Sequence, residues 1–345
     1  MVSNQKFVNA LKSVAQPTPP IWFMRQAGRY HSHYQEMKKK YTFETLCKKP
    51  ELAAEVALGP IRDFDFDVSI LFSDLLFPLE CLGMGLKYDP GPQLSWRLDP
   101  QNISKFIPWQ EAVLGMQFQA EAVRATRELL PKDKSLIGFV GGPWTLFTYA
   151  VEGSHKGNLT EAKKHLFLFP KFCEIMVPFL QKNIELQLQA GAEMVLVIDT
   201  AAGELGPDLF ASLLCPETIK LFQGHSGKTG YYMQKLNSSY LNLLEKQSEL
   251  AGFGVDHRQN MASLLKDKNS RQLSGFRQGN FDQALLFLPH DDFKKILDDY
   301  LAPILQLSPE QRAGWVCGVG HGILPETPER NVKYFIQRVR EKFHG

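Results

Sequence analysis

Cysteine is scarce in this chain and poorly placed for pairing. Cys47, Cys81, Cys173, Cys215 and Cys317 are far apart, odd in number and never in C-x-x-C spacing. That argues against a disulfide framework and a zinc knuckle, and for free thiols in a reducing compartment. Excess charge of either sign is also missing: the net charge is +2 over 345 residues, so no global field recruits nucleic acid or an anionic membrane. No apolar run approaches a membrane span, and residues 1–20 hold none long enough for a signal peptide, so a soluble, cytoplasmic protein is expected. Linker-like segments, low-complexity tracts and repeats of fixed period are absent too. With no overall field, any attraction for an acidic ligand has to be local.

What remains is a globular composition, 44% hydrophobic and 22% charged, in which short apolar runs alternate with helical patterns. Candidate strands are 20–24, 68–72, 136–140, 194–198, 230–234, 252–255, 273–276 and 314–319, rich in Val, Ile, Leu and Phe without polar alternation. That suits parallel strands buried on both faces. Amphipathic segments lie between them at 51–64, 172–190, 207–222, 240–250, 282–301 and 327–343, the last opening with Thr327 as N-cap and Pro328 at the first helical position. The expected fold is α/β, a single (β/α)8 barrel over 1–345, with a doubly wound open sheet as the alternative. A turn-rich excursion with hairpin character interrupts the alternation near 86–108, around Asp89-Pro90-Gly91-Pro92.

Polar residues collect at one end of these strands. Arg25, Asp74, Gly142-Pro143, Asp199-Thr200, Asp256, Gln278 and His321 each follow closely on a candidate strand, which in a barrel puts them on the rim that carries active sites. The run Trp22-Phe23-Met24-Arg25-Gln26-Ala27-Gly28-Arg29-Tyr30 ends an apolar strand in two arginines. A guanidinium fork suits a carboxylate or phosphate in two-point contact, so the pair is read as an anionic-ligand site. Asp74 stands in an apolar stretch, where desolvation raises a carboxyl pKa unless donors hold it ionised; a helix N-cap is its plainer role. His321, between Gly320 and Gly322, has the pKa range of a proton donor or anion binder. The Gly141-Gly142 turn before a helix is a weak anion-cradle signal. His31-Ser32-His33 has metal-like spacing but no third ligand, and is read as a solvated loop.

The W-x-M-R-Q-A-G-R-Y run resembles the amino-terminal signature of uroporphyrinogen decarboxylases. Phe72-Ser73-Asp74, Gly142-Pro143-Trp144-Thr145 with Tyr149, Asp199-Thr200 with Ala202-Gly203, Gln278-Gly279-Asn280 and Gly320-His321-Gly322 follow in that family's order. The resemblance implies a (β/α)8 barrel and a homodimer. It implies cofactor-free, metal-free decarboxylation of the four acetate side chains of uroporphyrinogen III to coproporphyrinogen III. It makes Asp74, Arg25, Arg29 and His321 the catalytic residues. Asp74 accepts pyrrole N–H groups, the arginines hold carboxylates, and Phe72, Tyr149 and Thr200 join them in binding substrate.

Departures from the family pattern stand at His31-Ser32-His33, Gly59, Thr200, Ala201, Gln283 and Gly318. They leave open a catalytically weak tetrapyrrole-binding homologue. A zinc-dependent corrinoid or thiol methyltransferase-like barrel is a further alternative, but His257 is followed by Arg258 and Gln259, so the His-x-Cys part of that ligand set is missing.

Overall fold

A computed structural model describes residues 3–344; Met1, Val2 and Gly345, the ends of the expected barrel, lie outside the described residues. Seven parallel strands form one curled sheet: β1 (Val68–Ile70), β4 (Ser135–Gly141), β5 (Met194–Ile198), β6 (Thr229–Tyr232), β7 (Leu250–Gly254), β8 (Phe276–Phe281) and β9 (Trp315–Val319), hydrogen-bonded in that order. Every residue of β4 to β9 is buried, as helices covering a parallel sheet require.

The expected first strand is reduced to one bridge, Ile21 beside Cys317 of β9. Cys317 N–H donates to Pro20 O at 2.9 Å and Trp22 N–H to Cys317 O at 3.0 Å, while Asp67 N–H reaches Ile21 O at 3.1 Å on the other side. The buried Asp67 carboxylate also accepts from Ile21 N–H at 2.8 Å. This short segment joins β9 to β1 and closes the (β/α)8 barrel. It stays short because Pro20 has no N–H to give and the chain turns at Arg25, whose φ is +60°.

Four local expectations are corrected. The strand placed at 273–276 starts at Phe276 and runs to Phe281. The 240–250 helix ends at Leu244, and Leu250 opens β7. The 282–301 segment is a 3-10 turn, Gln283–Phe287, followed by the helix His290–Leu305. In the final helix, Glu329–Lys342, Pro328 is the capping position, and the Thr327 hydroxyl donates to Leu324 O instead.

The 86–108 excursion begins with an antiparallel hairpin, β2 (Leu86–Tyr88) against β3 (Pro92–Leu94). Leu98 N–H then ties the stretch to Ala150 O, on the helix Pro143–Glu152, at 2.7 Å. That brings the hairpin over the carboxyl ends of β1 and β4.

Candidate active site

The carboxyl ends of β1, β4 and β5, the 24–27 loop and His321 line a cleft open to solvent on one side. Apolar side chains dominate its wall: Met24, Ile70, Leu71, Phe72, Leu75, Leu76, Phe139 and Ile198. Into it reach Arg25, Ser73, Asp74, Thr145, Tyr149, His155, Thr200 and His321, with Pro92 of the hairpin at its edge. Arg25, Phe72, Asp74, Tyr149, Thr200 and His321 are therefore brought together.

Arg29 is not. Exposed like Arg25, it is absent from the cleft wall. The 25–29 stretch is a series of turns rather than a helix, so a spacing of four does not put its two guanidiniums on one face. Arg25 has room because Gly322 lies against it: a Cβ there would meet Arg25 Cδ at 2.5 Å. A non-glycine residue held at positive φ is uncommon, and such strain concentrates at functional sites.

Asp74 Oδ1 accepts from Leu76 N–H at 2.8 Å. Burial pushes the Asp74 carboxyl above its usual range, while the Leu76 N–H, the Tyr88 hydroxyl and the charge of Arg25 favour ionisation and offset only part of that shift. The Tyr88 hydroxyl, on β2, is buried and has no hydrogen-bond partner among the described residues. It faces the Asp74 carboxylate, and burial together with that charge drives its own pKa far up.

His321 stacks on Tyr232 with ring centroids 5.9 Å apart. The Tyr232 hydroxyl lies 2.8 Å from Gly320 O and 2.9 Å from His321 Nδ1. A carbonyl only accepts, so the arrangement satisfying all three groups has Tyr232 donating to Gly320 and His321 Nδ1–H donating to Tyr232. Nε2 is then left as an acceptor. Burial and the nearby Arg25 charge lower the His321 pKa to about 4. At neutral pH it is therefore a neutral acceptor.

The other rim residues serve the scaffold. The fully buried Asp199 accepts from Thr145 N–H and Thr145 Oγ1, both at 2.7 Å, and from Trp144 N–H at 3.4 Å. It fills the helix N-terminus that the Gly141-Gly142 turn was expected to offer an anion, and a Cβ on Gly142 would meet Asp199 Cβ at 2.2 Å. Burial raises the Asp199 pKa to about 6. The folded state then binds this proton more tightly than the unfolded chain, so this group's contribution to stability falls as pH rises from 3.8 to about 6. Asp199→Asn turns one acceptor into a donor facing an N–H. It is expected to cost on the order of 1–3 kcal/mol, measured as a lower thermal midpoint at pH 7. Asp256 accepts from Arg258 and from Lys235 N–H, and Gln278 Nε2 donates to Val319 O at 3.2 Å.

Sequence similarity now decides among barrels that share this rim. The uroporphyrinogen decarboxylase (URO-D) family profile matches residues 2–342. The chain belongs to the uroporphyrinogen decarboxylase family. Relatives named uroporphyrinogen decarboxylase include those of Carboxydothermus hydrogenoformans, 32% identical over 98% of this chain and 96% of that one, and Chlorobium phaeobacteroides, 33% identical over the full length of both. That of Thermus thermophilus is 31% identical over 98% of each. Among solved structures, a methyltransferase from Methanosarcina mazei superposes with a TM-score of 0.75 over 99% of both chains at 18% identity. This is a likeness of fold alone.

Within this family, the departures at His31, His33, Gly59, Ala201, Gln283 and Gly318 lie outside the cleft wall; of those expected, Thr200 alone reaches it. His31 is not in a solvated loop. It is fully buried beside Phe64, with Nε2 at 2.7 Å from Asp63. His33 pairs with Glu55 at 2.8 Å and lies over Gly59, where a Cβ would come within 2.4 Å of its Nδ1. The His33 and Gly59 departures thus fit each other. Among the described residues no three His, Cys, Asp or Glu side chains converge as a metal-ligand set.

Two residues carry no motif signal: His155, which lines the cleft, and Tyr88, which faces Asp74 without being part of the cleft wall. Tyr88 sits in a short hairpin between Lys87 and Asp89, in no motif that points to a site. His155 follows Gly153, whose left-handed φ of +78° ends the Pro143–Glu152 helix and turns the chain back toward Tyr149.

Proposed function

We propose that this protein decarboxylates the four acetate side chains of uroporphyrinogen III, giving coproporphyrinogen III, without metal or organic cofactor. The observation that carries this reading is Asp74, a half-buried carboxylate in a largely apolar cleft that Arg25 shares, in a chain of this family. Each decarboxylation leaves an electron pair on a methylene carbon. A proton added to a pyrrole carbon makes the ring cationic, and the ring accepts the pair as the bond to CO2 breaks. A second proton then completes the methyl group, and loss of the first restores the aromatic ring. Ionised Asp74 accepts pyrrole N–H bonds and stabilises the transient cation in a site poor in water, a preorganised electrostatic effect. Arg25 holds a side-chain carboxylate in two-point contact. Phe72 and the other apolar walls keep the macrocycle dry.

Anaerobic incubation of the protein with uroporphyrinogen III, followed by product analysis, tests this. Tight binding of the reduced macrocycle without turnover would favour the tetrapyrrole-binding homologue. Turnover is expected to survive exhaustive chelation, because Arg258 and Gln259 stand beside His257 and Cys317 is fully buried in β9. Activity lost to a chelator and restored by zinc would instead support methyltransferase-like chemistry. The proposal extends to a cytoplasmic homodimer, for which light scattering should give twice the chain mass of 39.2 kDa.

A further inference from the structure

The decarboxylase reading uses Tyr149 as a wall of the site but gives His155 no task, although both line the cleft. Their polar atoms meet: Tyr149 Oη is 2.7 Å from His155 Nδ1 and the ring centroids are 5.3 Å apart. One proton lies between these atoms, and either could hold it. A neutral imidazole nitrogen is a much better acceptor than a phenol oxygen, and a phenol is a better donor than an imidazole N–H. Among the described residues no other hydrogen bond competes for the Tyr149 hydroxyl, unlike Tyr232, whose proton is claimed by Gly320 O.

Resting on the decarboxylase reading, we propose that His155 is a positioning residue for Tyr149: by taking the hydroxyl proton at Nδ1 it turns the phenol lone pairs into the cleft, where they accept an N–H of the reduced tetrapyrrole. The groups around the pair agree with a neutral imidazole. Burial, Arg25 and Lys156 all act against its protonation and hold its pKa near 4, and burial with the Asp74 charge raises Tyr149 to about 12. Asp74, Tyr149 Oη and His321 Nε2 then form a set of acceptors. A porphyrinogen, with four N–H donors, satisfies such a set, whereas a flat porphyrin presents two N–H groups and two lone pairs.

The test is a double-mutant cycle with substrate kept anaerobic. His155→Leu removes the acceptor and is expected to lower kcat/KM about tenfold, the scale of a lost hydrogen bond to a charged group. The loss should fall on kcat rather than KM, because the bond strengthens as the pyrrole becomes cationic. His155→Asn, which keeps an acceptor close to the Nδ1 position, is expected to recover most of that loss. In a Tyr149→Phe background, His155→Leu should cost nothing further. Losses that multiply in that background, a wild-type rate for His155→Leu, or an Asn variant no better than Leu would overturn the proposal. Nitrogen-15 imidazole spectra of the unliganded protein give a second readout independent of turnover. His155 should be the Nε2–H tautomer, and Tyr149→Phe should shift it toward Nδ1–H. A wild-type Nδ1–H tautomer would overturn the pairing even if Leu fails to fold. An inactive wild type with the expected tautomer would instead count against the decarboxylase reading alone.

Discussion

Asp74→Asn is expected to lower turnover of uroporphyrinogen by at least ~10²–10³-fold, the scale seen when a preorganised catalytic group is removed. The substitution keeps the shape of the side chain, removes the negative charge and replaces one acceptor with a donor. The fold should survive, because the one hydrogen bond Asp74 gives the scaffold, from Leu76 N–H, can be kept by the Asn carbonyl oxygen. Circular dichroism and the thermal midpoint check that point. The pH profile supplies the mechanism. Burial holds the Asp74 pKa above the ordinary carboxylate value, so the acid limb of kcat/KM should lie at higher pH than an exposed aspartate would set. Activity falls as pH drops through that raised value, since the protonated carboxyl no longer stabilises a cation. A folded Asn variant with near wild-type rates would remove Asp74 from the chemistry.

Arg25→Ala is expected to cost about 1.5–3 kcal/mol of transition-state stabilisation, the value of a charge-assisted hydrogen bond to the substrate. Steady-state kcat/KM reads this as roughly a ten- to hundredfold loss. Arg25→Lys should rescue only part of it, because a point charge cannot reproduce a planar two-point contact. Arg29→Ala is the informative contrast. Both arginines are exposed, but Arg29 lies outside the cleft wall, so a modest rise in KM with kcat preserved is expected. Equal losses at the two positions would mean that the 25–29 loop refolds around the substrate and brings Arg29 inward.

The barrel was legible because fully buried parallel strands write themselves as unbroken apolar runs; 194–198 and β5 coincide residue for residue. β8 escaped because its sequence, FRQGNF, is half polar yet entirely buried. Arg277 pays for its burial through Glu245 at 3.0 Å and the face of Phe253 at 3.7 Å, and the Asn280 side chain reaches Asp256 O at 2.8 Å. Those partners are 20 or more residues away in sequence, where no local pattern announces them. Site residues that end strands, Arg25, Asp74, Thr200 and His321, were found by position along the alternation. His155, which lines the cleft, and Tyr88, which faces Asp74, carry no such signal, since each comes from a turn-rich segment whose path depends on tertiary contacts. The solvated reading of His31 failed for the same reason: Asp63, its partner, is 32 residues on.

The hairpin over the cleft separates two tasks that barrel enzymes usually perform with the same residues. The strands place the Asp74 carboxylate, but Tyr88, which helps set its acidity, belongs to a two-stranded insertion. Such an insertion can accept substitutions, or change length, without disturbing strand register. Descendants of this sequence therefore have a route to retune the strength of the central carboxylate while the barrel stays under unchanged selection for stability. For the engineer, the hairpin is the dial and the barrel is the housing.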